Sequence, residues 1–156
     1  MKKINAFLGL TFLASTVALS LNSCKGTFAC HDDNISAAGA DDSHNKGQNC
    51  MQCHQAKGDG KGCFIAAGTV YGMDMTTTVS SGKVDFYTGP NETGTLKQTI
   101  MIDGKGNFYT TADFSPVGLY PVVTGPTGNK KEMGSALTSG ACNSCHGSST
   151  DNLWVN

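Results

Sequence analysis

Charge is scarce in this sequence. Charged side chains make up 15% of its 156 residues, and 11 basic against 12 acidic groups leave a formal net charge of −1. Such a surface has no field with which to select a polyanion, so nucleic acid is not expected as a partner. Histidine is limited to four residues, and no βαβ pattern is visible. Low charge together with 20 glycines and many Thr and Ser argues against a helical bundle and for a turn-rich β protein. The length gives room for one modest domain and an appendage.

The N-terminus lacks a basic stop-transfer flank and an A-x-A-like cleavage site, which argues against both a retained transmembrane anchor and an ordinary signal peptidase site. What is present is a short basic start, Met1-Lys2-Lys3, and an apolar run from Ala6 to Leu21 that halts at "NSC". This is the layout of an export signal. "LNSC", Leu21 to Cys24, resembles the bacterial lipobox, which implies a signal peptide over 1–23 and lipidation of Cys24 as the new N-terminus. Acyl chains at about 0.8 kcal/mol per buried methylene would tether the chain to a periplasmic or cell-surface membrane face without spanning it.

Seven cysteines in an exported chain need an account. Four of them fall in two copies of one pattern, "NCMQCHQ" at 49–55 and "ACNSCHG" at 141–147. Cys-x-x-Cys-His is the attachment signature of c-type haem. Two thiols about one helical turn apart reach two vinyl groups on one porphyrin edge, and the following imidazole faces the iron. Cys50, Cys53 and His54 are thus expected to hold one haem, and Cys142, Cys145 and His146 a second. A four-sulfur zinc site would not need a His after both pairs, and a thioredoxin-like dithiol would need the missing βαβ unit. Plain disulfides are the third alternative in an oxidising compartment. Beyond Cys24, the cysteines left over are Cys30 and Cys63, on either side of the first motif. Either they pair, closing a loop worth roughly 3 to 4 kcal/mol in the chain-entropy account, or they stay separate thiols.

Each motif supplies one axial ligand, and the opposite face of the iron sets its chemistry. His44, just upstream of the first motif with Gly47 between them, is the first choice for the far side of haem 1. His31 reads as a solvated tail residue. No His precedes the second motif closely. Met133, nine positions before Cys142, is the candidate there, against the alternative that it merely fills a gap in packing. A thioether ligand would give haem 2 the higher potential. Met73, Met75 and Met101 read as turn and core residues.

Residues 63–134 carry a strand pattern. "CFIAAGTVYG", "KVDFYTGPNETG", "TLKQTIMIDGKGNFYTT" and "VGLYPVVTGPTGNKKEM" are β-branched and aromatic runs broken by turn residues. Within them "DGKG" predicts a hairpin, and Leu96, Gln98, Ile100 and Ile102 share one side of a strand. Some six short strands predict a mainly β chain: a small β-sandwich flanked by haem-binding segments at 24–62 and 135–156, with short helices near the motifs, including "SALTSG". Gly68, Thr69 and Val70 followed by Asp103, Gly106 and Phe108 resemble the opening strand and later turn of the carboxypeptidase regulatory-like, transthyretin-like sandwich. That resemblance implies a fold and no activity. If the two ends of the domain meet, the sandwich acts as a clamp on the distance between haems.

The two motifs and the export signal together resemble small multihaem lipoproteins. The implied function is a membrane-anchored dihaem c-type cytochrome that relays electrons between redox protein partners of a bacterial envelope, and not an enzyme. Two alternatives stand beside it. A polymeric or multi-protein extracellular cytochrome assembly would make the chain a homo-oligomer or filament, with the tail at Trp154 and Val155 either docking or packing against haem. A small haem enzyme such as a dihaem peroxidase would need an open iron position, and the family it resembles is about twice as long and has a calcium-bridged pocket for which this chain lacks the charge clusters.

Overall fold

A computed structural model describes residues 30–156, so the export segment, the lipobox and Cys24 lie outside the described residues. Six strands follow in chain order: β1 (Ala66–Thr69), β2 (Lys83–Tyr87), β3 (Leu96–Met101), β4 (Asn107–Thr110), β5 (Tyr120–Thr124) and β6 (Lys130–Glu132). They form two antiparallel sheets, a pair β1–β4 and a four-stranded sheet in the order β3-β2-β5-β6. The chain is mainly β, a small sandwich, as composition and strand pattern predict. No helix of the described residues is long and apolar enough to cross a membrane.

The main core lies between the sheets. Val84 and Phe86 of β2, Ile100 of β3, Val123 of β5 and Phe108 of β4 meet there, joined by Ile102 and Val155. Full burial of each such side chain contributes about 1.5 to 3 kcal/mol. β1 and β4 are buried along their whole length, because both faces are covered. Ala66, Val70 and Phe108 face the main core, while Ala67 and Tyr109 join Phe64 in a second cluster on the other side. This double burial explains why neither segment shows an alternating apolar pattern.

Three expectations need correction. "DGKG" does make a turn, with Asp103 Oδ1 accepting from the Lys105 and Asn107 amides and Gly106 at φ +88°, but the turn carries the chain from one sheet to the other. β3 pairs with β2 and β4 with β1. Ser36 lies between the strands a hairpin would have paired. Its hydroxyl donates to Met101 O at 2.6 Å, and its amide donates to Tyr109 O at 2.9 Å. Among the described residues helix is limited to two three-residue 3-10 turns, Cys50–Gln52 and Cys142–Ser144. "SALTSG" is extended, since Leu137 N donates to Leu119 O and Gly140 O accepts from Ala67 N. On β3, Ile100 and Ile102 face inward as expected, but a register shift between Phe86 and Tyr87 leaves Leu96 exposed, and Met101 is exposed as well.

Both flanking segments are woven into the β1 region. Asn34 N bonds Thr111 Oγ1, and residue Ser36 follows β4. At the other end, Tyr71 N donates to Leu153 O and Val155 N to Tyr71 O, at 2.8 and 2.9 Å. The N-terminal segment is thus tied along β4 and the C-terminal tail to Tyr71 just past β1, so both ends of the described chain dock on the β1–β4 pair.

Candidate cofactor sites beside β1

The two Cys-x-x-Cys-His motifs share one backbone shape. In each, the first cysteine opens the 3-10 turn, and its carbonyl accepts from the second cysteine and from the histidine: 3.2 and 3.0 Å at Cys50, 3.3 and 3.0 Å at Cys142. In each, the first sulfur lies 3.6 Å from the carbonyl two residues earlier, of Gln48 or Gly140. The turns are started differently. Asn49 caps the first by accepting from Met51 N, whereas Ala141 has no side-chain cap and takes Ser139 Oγ on its own amide. Different sequences around the motifs therefore converge on the same arrangement.

The histidines are fixed in the same way. His54 Nδ1 lies 2.9 Å from Lys61 O, and His146 Nδ1 lies 3.0 Å from Asp151 O. A carbonyl only accepts, so Nδ1 is the donor in both rings, and in the neutral imidazole this leaves the lone pair on Nε2. This is the pattern of a metal-ligating imidazole whose outer nitrogen is anchored. Around His54 the packing is close. Phe64 stacks on it at 4.0 Å and 6°, and a Cβ placed on Gly60 would lie 2.7 Å from the ring. The same loop is tied to the N-terminal segment by a Cys30–Cys63 disulfide with a Cα separation of 4.6 Å.

A cavity of about 260 Å3 adjoins the first motif, lined by His44, Cys50, Cys53, His54, Phe64 and Tyr109. The His44 ring is 5.9 Å from that of His54, centroid to centroid. A second cavity, of about 460 Å3, adjoins the other motif and is lined by Cys142, Cys145, His146, Met133, Lys131 and Trp154. Its size falls in the range of cofactor pockets, about 300 to 1,000 Å3. Met133 also packs against the main core, so the lining and packing roles coexist. His31 is exposed and lines neither cavity. The Lys131 ammonium sits over the Trp154 ring, and Val155 is buried, so the tail is part of the molecule's own packing.

Cys50, Cys53, Cys142 and Cys145 are free thiols. The outer cysteine of each motif is exposed and the inner one half-buried. Burial pushes the Cys142 thiol up to about 12, and the nearby Cys50 sulfur adds to the shift. Burial likewise raises Cys50. The two inner sulfurs are neighbours because of β1. Cys50 packs against the cluster that Ala67 forms with Phe64 and Tyr109, and a Cβ on the adjacent Gly68 would lie 2.9 Å from Cys142 Cβ. The second motif is laid along the free edge of β1, where Ala67 bridges Ala141, and its Cys142 packs against the main core while Cys50 packs against the cluster on the other side. Among the described residues no three His, Cys, Asp or Glu side chains gather as a metal-binding group.

Sequence reasoning missed Phe64, Tyr109, Gly60 and the two anchoring carbonyls. Backbone acceptors leave no side-chain signature, and Phe64 enters through a fold that brings it back onto His54. Comparison with protein-family models, with curated proteins and with solved structures gives no match to this chain.

Proposed function

We propose that this chain is an exported, membrane-anchored dihaem c-type cytochrome that relays electrons at the bacterial cell envelope. One observation carries the reading: two separately built Cys-x-x-Cys-His turns, each with its imidazole anchored through Nδ1 so that Nε2 is free, and each bordering a cavity. The residues fit haem c. Cys50 and Cys53 would hold one porphyrin by thioether bonds and Cys142 and Cys145 the other, with His54 and His146 as iron ligands. His44 is the proposed second ligand at the first site and Met133 at the second. When bound, haem supplies reversible one-electron storage, and its potential depends on those ligands.

The protein's own groups do the positioning. The Lys61 and Asp151 carbonyls hold the imidazoles in one tautomer and raise their basicity. Phe64 and Gly60 lock the His54 ring, and the Cys30–Cys63 bridge closes a loop around the first motif, worth about 3 to 4 kcal/mol in the chain-entropy account. β1 clamps both sites. The register that sets Gly68 opposite Phe108, with the Asp103 turn beyond, supports the carboxypeptidase regulatory-like reading of the sandwich. Lipidation at Cys24 would keep the unit on the membrane among redox partners.

β3 is an edge strand whose Leu96 end, away from Ser36, is exposed, which supports a second reading as a subunit of a polymeric assembly.

The deciding experiment is export of the full chain with haem-attachment machinery, followed by a pyridine haemochrome assay and intact mass. Two covalent haems per chain are expected. A mass equal to processed polypeptide plus lipid overturns the proposal. Carbon monoxide added to the reduced protein then separates a relay, which binds none promptly, from a small haem enzyme.

A further inference from the structure

The side chain of His44 is exposed, yet the backbone that carries it is held by a buried polar network. Asn107, at the start of β4, is 2% exposed and lies opposite Thr69 of β1. The Thr69 hydroxyl accepts from Gly47 N at 2.8 Å. Its own hydrogen therefore goes to Asn107 Oδ1, 2.6 Å away. That fixes the Asn107 amide, and Nδ2 is left to donate to Ser43 Oγ at 2.8 Å and toward His44 O at 3.5 Å. Lys105 Nζ completes the hold by donating to Ser43 O at 2.8 Å. Segment 43–47 is thus pinned to the β1–β4 pair from both sides of His44.

We infer that Asn107 and Ser43 are positioning residues that hold His44 over His54 as the second axial ligand of the first iron. The inference rests on the haem reading given above. None of the motif residues takes part in the network, so it has no part in attaching the porphyrin. A purely structural role for Asn107, satisfying a buried strand end, would need no bond to the hydroxyl of Ser43, which belongs to an otherwise irregular segment. The turn-closing work at that strand end is done by Asp103, which accepts from the Asn107 amide at 2.9 Å.

The test uses the full-length, haem-loaded protein, with haem per chain counted first. A wild-type chain with no covalent haem overturns the cofactor reading itself, and this inference with it. With haem present, reduced His44→Ala is expected to bind one carbon monoxide per chain more than wild type. Ser43→Ala and Asn107→Asp, which remove the hydroxyl acceptor and the amide donor, should speed gas binding at that iron by roughly five- to tenfold, the effect of losing one hydrogen bond. They should also shift its midpoint potential at unchanged haem content, and Ser43→Thr, which keeps the hydroxyl, should behave as wild type. Wild-type gas binding and potential in Ser43→Ala and Asn107→Asp, beside an opened His44→Ala, overturn the positioning role. An unaltered His44→Ala overturns it too, because His44 is then no ligand. Ser43→Ala decides the matter alone if Asn107→Asp fails to fold.

Discussion

The imidazoles of His44 and His54 stand 5.9 Å apart, centroid to centroid, with their planes inclined by 32°. Two imidazoles bound to one metal from opposite sides have centroids about 6 Å apart, given metal–nitrogen bonds of about 2 Å. Nothing in the local sequence forces this spacing, since nine residues, Gly47 at φ +81° among them, lie between the two histidines. It arises where segment 43–47 and the loop 55–63 are both docked on β1 and β4. Replacing His44 by Met should therefore keep a six-coordinate iron while raising the midpoint potential of one haem, because a thioether favours the reduced state. A redox titration in which both potentials stay at their wild-type values would remove His44 from the coordination sphere.

Glycine does different work at the two sites, and substitution should tell the sites apart. At Gly60 a Cβ would lie 2.7 Å from the His54 ring, and at Gly68 it would lie 2.8 Å from the Phe108 ring and 2.9 Å from Cys142 Cβ. Each methyl forces a shift costing about 1 to 3 kcal/mol. Gly60→Ala should lower haem content at the first motif and spare the second, and Gly68→Ala should do the reverse. Mass analysis of haem peptides after proteolysis reads both occupancies, and equal losses at the two motifs in either variant would contradict the assignment.

Thiol chemistry of the haem-free chain follows from burial. Only the thiolate attacks an alkylating agent. Burial lifts Cys142 to about 12 and raises Cys50 as well. A raised pKa keeps the sulfur protonated, so Cys142 stays neutral and slow at pH 8 and gains reactivity only as pH climbs toward 12. Cys53 and Cys145 are exposed and should be carbamidomethylated first by iodoacetamide. Time-resolved peptide mass mapping checks the order, and labelling of Cys142 ahead of Cys145 at pH 8 would show that its sulfur is not buried.

Much of this was legible in the residues. The motifs, the candidate His44 and the mainly β character stand on local patterns: a spacing, a neighbouring imidazole, β-branched runs between turn residues. The sandwich's connectivity did not follow, because "DGKG" carries every local mark of a hairpin and is overruled by Ser36, more than 60 positions upstream, which occupies the hydrogen bonds between β3 and β4. The helix expected over "SALTSG" gave way for a similar reason. Its apolar Leu137 is buried and bonded to the Leu119 carbonyl just before β5, which outweighs what a six-residue helix would gain in isolation. The anchoring carbonyls of Lys61 and Asp151 could not be read at all, since every residue has one.

The strongest consequence of the fold concerns the distance between the motifs, 92 positions apart in the chain. The Cys142 turn runs along the free edge of β1 beside Ala67 and Gly68, and Cys50 packs against the cluster that Ala67 joins with Phe64 and Tyr109. The inner sulfurs are close enough for Cys50 to help raise the Cys142 thiol. Cofactors bonded to those sulfurs start from neighbouring points on a strand that is buried on both faces and has no room to flex. Electron tunnelling weakens steeply with distance, so in the proposed dihaem form this placement would favour transfer between the two sites. Oxidised dihaem protein should accordingly show a paramagnetic resonance spectrum that differs from the sum of two single-site variants, Cys50→Ala/Cys53→Ala and Cys142→Ala/Cys145→Ala. A strictly additive spectrum would mean that the irons are magnetically isolated, and β1 would then be a scaffold for two independent centres and not a clamp that couples them.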